Sequence, residues 1–213
     1  MLRGRGCQPK DARALLASVA LARAGVDQHQ LDTIAEAFAA VIDAKSPYTH
    51  EHSQRVSRLA VSIGERLGVK GQALVRLRRA ALLHDIGKLG VPNRILDKCG
   101  ALTPAEWKVI QRHPQFTFEI LDRVAMFREF AYDASCHHER LDGSGYFRQL
   151  SGRAISQSAR ILAVADIVDA LAAARPYRAG LPTPQIAELL RAERGRTLCG
   201  DCVDAAVAGL GHS

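Results

Sequence analysis

The sequence has no apolar run that approaches the length of a membrane span, which excludes an integral membrane protein of the helical type. Its basic opening, Met1 to Cys7, lacks the apolar stretch and small-residue cleavage site of a signal peptide. We therefore predict a cytoplasmic protein without a membrane partner.

Aromatic residues are also scarce, at 5% of the 213 residues. The net charge of +7 fits either a solvated basic surface or a surface that meets an anion such as a nucleotide, nucleic acid or acidic protein. The arginine cluster Arg76, Arg78 and Arg79 lies in an amphipathic helical pattern without interleaved aromatics. Because single strands are bound by aromatic stacking, a nucleic-acid partner is not expected.

Cysteine is present in an odd count of five spread along the chain, which favours reduced thiols over a disulfide framework. Cys199 and Cys202 have C-x-x-C spacing, but no second pair follows and no strand-helix context precedes them. A zinc or redox role for this pair is the less favoured interpretation.

Strand-like alternation is almost absent, and apolar residues recur with helical period nearly throughout the chain. Asp27 with Gln30, and Thr103 with Glu106, have the spacing of helix caps. The pattern predicts a single all-α domain. Its predicted parts are a helical lead-in at 1–45, a core at 46–178 and a closing helical appendix at 179–213.

Histidine and aspartate supply the chemistry. His52 is expected to open a helix, and His84-Asp85 to close an apolar helix just before Gly87 breaks it. Asp166 lies in a segment that is apolar on nearly every side, where an uncompensated carboxylate costs several kcal/mol. A metal ion on Asp166 explains that burial, and the alternative is an ion pair with a buried arginine. Asp169, one turn on, is expected to support the ligands.

His113, His137 and His138 complete a donor set of imidazoles and carboxylates without thiolate. That mixture suits two first-row ions such as iron, manganese, cobalt or zinc, with one carboxylate bridging. Two such ions a few ångströms apart activate a bridging hydroxide and neutralise a phosphoryl group. From the residues alone, the sequence therefore predicts phosphoester hydrolysis.

Five motifs occur in an order that resembles the HD-GYP phosphodiesterases, a branch of the HD metal-dependent phosphohydrolases. They are His52-Ser53-Gln54-Arg55-Val56, His84-Asp85-Ile86-Gly87-Lys88, Arg112-His113-Pro114, the run His137 to Tyr146, and Ala165-Asp166-Ile167-Val168-Asp169-Ala170 followed by Arg175-Pro176-Tyr177-Arg178. The resemblance runs from about Ala35 to Arg178. It implies an all-α HD bundle around a binuclear centre and hydrolysis of cyclic di-GMP to pGpG, in some members onward to GMP.

Residue by residue, the resemblance implies the metal ligands His52, His84, Asp85, His113, His137, His138 and Asp166, with Asp85 bridging. It implies that Lys88 holds a phosphate oxygen and that Arg175, Arg178, Tyr146 and Gly143 contact the substrate. Some members have a glutamate four residues before the first histidine and hold a third metal. Tyr48 stands at that place here. We therefore expect two divalent ions, iron or manganese before zinc, cobalt or nickel.

The signature is degenerate, since Phe147 stands where its proline is usual. Proline would fix φ, so phenylalanine is expected to leave this loop freer. Phe147 could contact a partner, such as a diguanylate cyclase (GGDEF) or a second protomer, or it could fold back onto Tyr146 or the core. Two further functions stay open: an HD hydrolase for another phosphoester, and a non-catalytic cyclic-dinucleotide sensor or adaptor.

Overall fold

The computed structural model describes residues 27–45, 51–174 and 179–211, and within these ranges it contains helices and no strands. The α-helices are α1 (Gln28–Asp43), α2 (His52–Arg66), α3 (Gly71–Leu83), α4 (Asn93–Leu96), α5 (Pro104–Ile110), α6 (His113–Asp122), α7 (Arg128–Ala134), α8 (Gln157–Ala172), α9 (Thr183–Glu193) and α10 (Gly200–Leu210). Two short 3₁₀ helices cover Ile86–Gly90 and Gly152–Ala154. The predicted all-α fold is confirmed.

Both predicted helix caps are present. Asp27 accepts from the backbone N–H of Gln30, and Thr103 accepts from that of Glu106; in each case the second side chain reaches back to the cap residue. Such reciprocal bonds satisfy amide groups that the first helical turn leaves unpaired. Helices α1 and α5 therefore begin where the spacing predicts.

Two apolar cores lie on either side of α3. Val56, Leu77, Ile161 and Val203 belong to the first, which joins α2, α3, α8, α9 and α10. The second joins α1, α3, α6 and α7 around residues such as Phe130. Because α3 contributes to both cores, the residues that directly follow its C-terminal end, His84 and Asp85, are held at their junction.

The C-terminal helices α9 and α10 share the first core with α2 and α8. The domain boundaries expected at 45/46 and 178/179 stay a prediction, as does any role of residues 1–26, which lie outside the described ranges.

Two arginines of the cluster noted in the sequence, Arg79 and Arg78, connect α3 to α1. The Arg79 side chain is fully buried, and it donates to Asp32 at 2.7 Å and to the Gln28 carbonyl at 3.0 Å. Arg78, also on α3, forms ion pairs with Asp32 and Glu36, which both lie on α1. These arginines therefore fasten α1 to α3.

No helix in the described ranges is both long enough and apolar enough to cross a membrane. The four cysteines that the structure describes, Cys99, Cys136, Cys199 and Cys202, are free thiols.

Candidate metal centre

Asp85 lies at the centre of the histidine and aspartate cluster and presents its two carboxylate oxygens to different neighbours. Oδ2 is 3.5 Å from Nε2 of His52 and 3.4 Å from Nε2 of His84. Oδ1 is 3.2 Å from Nε2 of His113 and 3.8 Å from Nε2 of His137. One carboxylate thus faces two sets of donors, as a bridging ligand would.

We name the two sets by the oxygen that they face. The Oδ2 side consists of His52 and His84 with Asp166 beside them, and the Oδ1 side consists of His113 and His137 with His138 beside them. His137 also lies close to His84 and Asp166, so the two sides adjoin. Within the described residues Asp166 faces His52 at 3.5 Å and His84 at 3.8 Å, so the alternative of an arginine partner finds no support there. All seven residues named from the sequence are brought together.

Three of the histidines are oriented in the same way, by a hydrogen bond from Nδ1 to a backbone carbonyl. Nδ1 of His84 is 2.7 Å from the Ala81 carbonyl, Nδ1 of His113 is 2.8 Å from that of Ile110, and Nδ1 of His137 is 2.8 Å from that of Ala134. Each carbonyl belongs to the last turn of a helix that ends just before the histidine, where acceptors lack an intrahelical partner. A proton on Nδ1 leaves the lone pair of Nε2 directed into the cluster.

His52 is oriented by side chains instead. Its Nδ1 lies 2.7 Å from Oδ2 of Asp169, and Arg55 donates its Nε to the other oxygen of Asp169 at 2.6 Å. His52 is the first residue of α2 and Asp169 lies one turn beyond Asp166 on α8. The expected supporting role of Asp169 therefore agrees with its position.

The protonation states fit a cation-binding cluster. Burial lowers the pKa of His84, His137 and His138, so these imidazoles are neutral near pH 7. Burial acts to raise the pKa of Asp85, but Lys88 and the surrounding histidines outweigh it and hold that pKa well below its usual range. Neutral imidazole and ionised carboxylate are the forms that bind metal.

His52 differs, because burial lowers its pKa but hydrogen bonds to Asp169 and Asp85 outweigh this and raise it to about 9. A cation that binds at Nε2 of His52 therefore has to displace a proton.

The donor set fits two metal ions. A metal–ligand distance of about 2.1 Å places neighbouring ligand atoms roughly 3 to 3.5 Å apart, close to the separations within this cluster. Asp85 Oδ1 is buried and makes no hydrogen bond to any described residue, although Nε2 of His113 is near. Buried carboxylate oxygens are rarely left unsatisfied, and the imidazoles around this oxygen suit a cation as its partner.

Gly87 brings the Oδ1 side to Asp85. A Cβ at this position would lie 1.9 Å from the His113 carbonyl, so only glycine lets the 3₁₀ helix approach α6 this closely. The Gly87 N–H donates to Oγ1 of Thr117, which in turn donates to the His84 carbonyl. The buried Thr117, which lies one turn after His113 on α6, thereby joins this helix to the backbone of His84 and Gly87.

A cavity of ≈ 260 Å³ opens over the cluster. Lys88 and Tyr146 line it, as expected of substrate contacts, and Lys88 donates to Oδ2 of Asp85 at 2.5 Å. Gly143 does not line it; its φ of 80° serves a turn in which Asp142 accepts from Ser144. Arg175 and Arg178 lie outside the described residues, so their contacts with substrate stay a prediction.

The loop after His138 is fastened by Glu139, which the sequence interpretation missed. This buried carboxylate accepts from the backbone N–H of Arg148 and of Leu150, both at 2.8 Å. A Cβ on Gly145 would lie 2.5 Å from the His138 carbonyl, so the loop also packs closely on the ligand segment. Tyr146 consequently lies over His138, with ring centroids 4.6 Å apart.

Phe147 is half-buried, and the Arg148 guanidinium lies 4.4 Å from the centre of its ring. The same guanidinium lies over Phe118 and Tyr132. Phe147 is thus joined to Phe118 and Tyr132 through this guanidinium, and both alternatives for Phe147 stay predictions. The φ of Phe147 is 91°, which proline cannot adopt, so the difference from the usual signature includes the backbone as well as the side chain. Greater mobility of the loop stays a prediction.

Five further residues at the cavity were given no role from the sequence: Arg55, Trp107, Ile110, Ala170 and Ala173. Arg55 could have been found from its position one helical turn after His52, on the same face of α2. Trp107 had only its rarity as a signal, since it is the sole tryptophan.

The family model "HD domain" matches residues 36–199. The chain therefore belongs to the HD domain family, and the resemblance to its HD-GYP branch is confirmed. Over 157 residues the chain is 50% identical to a Vibrio cholerae protein named 3'3'-cGAMP-specific phosphodiesterase 3, covering 74% of this chain and 34% of that one. Over 159 residues it is 40% identical to a cyclic di-GMP phosphodiesterase of Thermotoga maritima, covering 74% and 43%.

Two solved structures of other proteins also match this chain. A cyclic GMP-AMP specific phosphodiesterase of V. cholerae matches with a TM-score of 0.58 and 39% identity, over 88% of this chain and 42% of that chain. An HDG"Y"P protein of Bdellovibrio bacteriovorus matches with a TM-score of 0.67 at 16% identity, over 87% of this chain and 65% of that chain, and supports the fold alone. The chain spans between a third and a half of the length of the curated relatives described above.

Proposed function

We propose that this chain is a metal-dependent phosphodiesterase that hydrolyses a cyclic dinucleotide. The observation that carries the proposal is Asp85, whose two oxygens face separate sets of donors beneath an open cavity. The names of the relatives, which act on cyclic di-GMP or 3'3'-cGAMP, support the substrate class.

Two divalent ions, iron or manganese, would be held by the residues of the Oδ2 and Oδ1 sides with Asp85 shared between them. When bound, such ions lower the pKa of a water molecule and neutralise charge on a phosphoryl group. The oxygen and nitrogen donors without thiolate suit these metals, and zinc, cobalt or nickel can occupy the same donors.

The remaining side chains of the cavity would bind and orient the substrate. Lys88 enters it beside Asp85, where its ammonium group can donate to a phosphate oxygen. Tyr146 presents an aromatic face beside His138. Arg175 and Arg178 would add guanidinium contacts to phosphate or to a guanine edge, as the resemblance implies.

Two candidate substrates, cyclic di-GMP and 3'3'-cGAMP, need to be distinguished. Cyclic di-GMP hydrolysis to pGpG, and onward to GMP, follows from the family resemblance. The 50% identity to a 3'3'-cGAMP-specific relative is the observation that favours the second substrate. A diguanylate cyclase partner and a homodimer stay predictions, and nothing described bears on either.

The test is an anaerobic assay of the protein reconstituted with Mn²⁺ or Fe²⁺, offered cyclic di-GMP, 3'3'-cGAMP and a simple phosphodiester in parallel. Products are resolved by chromatography. Turnover of a cyclic dinucleotide is expected. Turnover of the simple phosphodiester alone would indicate an HD hydrolase of another specificity, and tight binding of a cyclic dinucleotide without turnover would indicate a sensor or adaptor.

A further inference from the structure

Trp107 is the only tryptophan of the chain and lies at the edge of the cavity over the metal cluster. It is 46% exposed, which makes it one of the few large apolar side chains in the described ranges that face solvent. Tryptophan is usually well covered, because its indole has the largest apolar area of any side chain. An exposed indole beside a cavity therefore needs an explanation.

Aromatic rings lead from the ligands outwards to this indole. His138 and Tyr146 have ring centroids 4.6 Å apart and planes inclined by 31°, a tilted face-to-face contact. Tyr146 and Trp107 then meet edge to face, with centroids 6.4 Å apart. Tyr146 thus lies between the cluster and Trp107, and the two outer rings make an aromatic wall for the cavity.

The helix that carries Trp107 is fixed relative to the metal ligands. Its first turn is closed by the Thr103–Glu106 cap, and Lys98 adds an ion pair to Glu106 at 2.6 Å. Its last residue, Ile110, lines the cavity and accepts the hydrogen bond from Nδ1 of His113. The seven-residue helix α5 thereby sets the distance between the indole and the Oδ1 side.

Resting on the function proposed above, we infer that Trp107, next to Tyr146, stacks on a nucleobase of the cyclic dinucleotide while its phosphodiester lies at the cluster. A flat, exposed, rigidly held aromatic ring suits a base, because every base has a π-face. Stacking does not read hydrogen-bond edges, so Trp107 selects nucleotides over simple phosphodiesters and does not distinguish guanine from adenine.

The test separates binding of the base from chemistry at the cluster. Metal-loaded wild type, Trp107→Ala and Trp107→Phe are assayed with the cyclic dinucleotide and with methyl p-nitrophenyl phosphate, a small phosphodiester without a base. Loss of one stacked base is expected to raise KM of Trp107→Ala for the cyclic dinucleotide by about 5- to 150-fold, with kcat within about twofold. Trp107→Phe should retain most of the affinity. Neither variant should change hydrolysis of the small ester.

Leu189→Ala is the matched control, because Leu189 is 47% exposed on α9 and does not line the cavity. It should behave as wild type with both substrates. Melting curves identify any variant that is not folded, and if Trp107→Ala is not folded the fluorescence of the wild type decides.

Binding has a readout of its own, since a single tryptophan makes the intrinsic fluorescence site-specific. Stopped-flow mixing of the loaded wild type with cyclic dinucleotide should quench this fluorescence before hydrolysis, and inorganic phosphate should not. A KM of Trp107→Ala within twofold of wild type, or absence of the quench, would overturn the inference. If the wild type hydrolyses the small ester but neither hydrolyses nor binds a cyclic dinucleotide, the proposed function fails and the inference fails with it.

Discussion

The Oδ2 side and the Oδ1 side of Asp85 differ in their donor groups and in the groups that support them. The Oδ2 side adds a second carboxylate, Asp166, and orients His52 through the charged pair Asp169–Arg55. The Oδ1 side has only imidazoles besides the shared carboxylate, and His113 and His137 are oriented by backbone carbonyls. Helix-end carbonyls therefore orient His84 on the Oδ2 side as well as His113 and His137 on the Oδ1 side, and the Oδ2 side alone adds a charged side-chain support, at His52.

Removal of the Asp85 carboxylate, which both sides share, should abolish metal binding on both sides. Asp85→Ala is expected to lose both ions and all measurable hydrolysis, because the buried imidazoles then lack the anion that makes a cation favourable. Metal analysis and anomalous scattering from Mn²⁺-soaked crystals measure the outcome. Asp122→Ala, which removes a half-exposed carboxylate on α6, is the control and should retain two ions.

A single manganese ion in wild-type crystals at saturating metal would contradict the binuclear centre altogether.

Ligands that belong to one side should remove one ion. His52→Ala is expected to empty the Oδ2 side and His138→Ala the Oδ1 side, each leaving about one ion per chain, since their donors face only one set. Anomalous difference maps show which position stays occupied. Loss of both ions from His138→Ala, with one retained by His52→Ala, would show that the Oδ2 side depends on the other.

Lys88 tests whether a cation of the chain acts on the substrate beyond the metal ligands. Lys88→Ala should lower kcat/KM by a factor that corresponds to about 2 to 4 kcal/mol, as for loss of a donor to a transition-state oxyanion. Metal content should not change. Lys70→Ala, at the exposed start of α3, is the control. Equal activity of Lys88→Ala and wild type at subsaturating cyclic di-GMP would exclude this role.

The charged support of the Oδ2 side predicts a smaller effect. Asp169→Asn keeps an acceptor for Nδ1 of His52 but removes the charge, and should weaken metal binding or activity by about 10- to 100-fold. Calorimetric titration of the metal-free protein with Mn²⁺ measures it. Asp204→Asn breaks a comparable but exposed pair with Arg194 and should have no effect. If Asp169→Asn binds both ions as wild type does, the charge of Asp169 is dispensable.

Much of this site follows from local sequence patterns. Gly87 marked the end of α3, and helical period placed Asp166 on a buried helix, so His84, Asp85 and Asp166 could be named in advance. The assignment of the histidines to two sides could not, because it depends on how α3, α5 and α7 end in space. Glu139 was missed for a similar reason, since its partners are backbone N–H groups nine and eleven residues later.

The smallest effect concerns the loop beside the Oδ1 side. From the sequence, proline at Phe147 would stiffen this loop, but a φ of 91° places the residue in the left-handed region while proline requires about −65°. Phe147→Pro should therefore lower the free energy of unfolding by about 1 to 3 kcal/mol and should not raise activity. Phe147→Gly separates the two contributions, since glycine adopts this φ without strain and removes the half-buried ring with its contact to Arg148. We expect Phe147→Gly to be the milder change in thermal melts, because a partly exposed cation–π contact contributes about 0.5 to 1 kcal/mol.

Since Tyr146 adjoins His138, any loss of metal from Phe147→Pro should come from the Oδ1 side, which anomalous maps can locate. A Phe147→Pro protein with wild-type stability would mean that this loop readily adopts another backbone, and the fastening by Glu139 would then be weaker than its hydrogen bonds indicate.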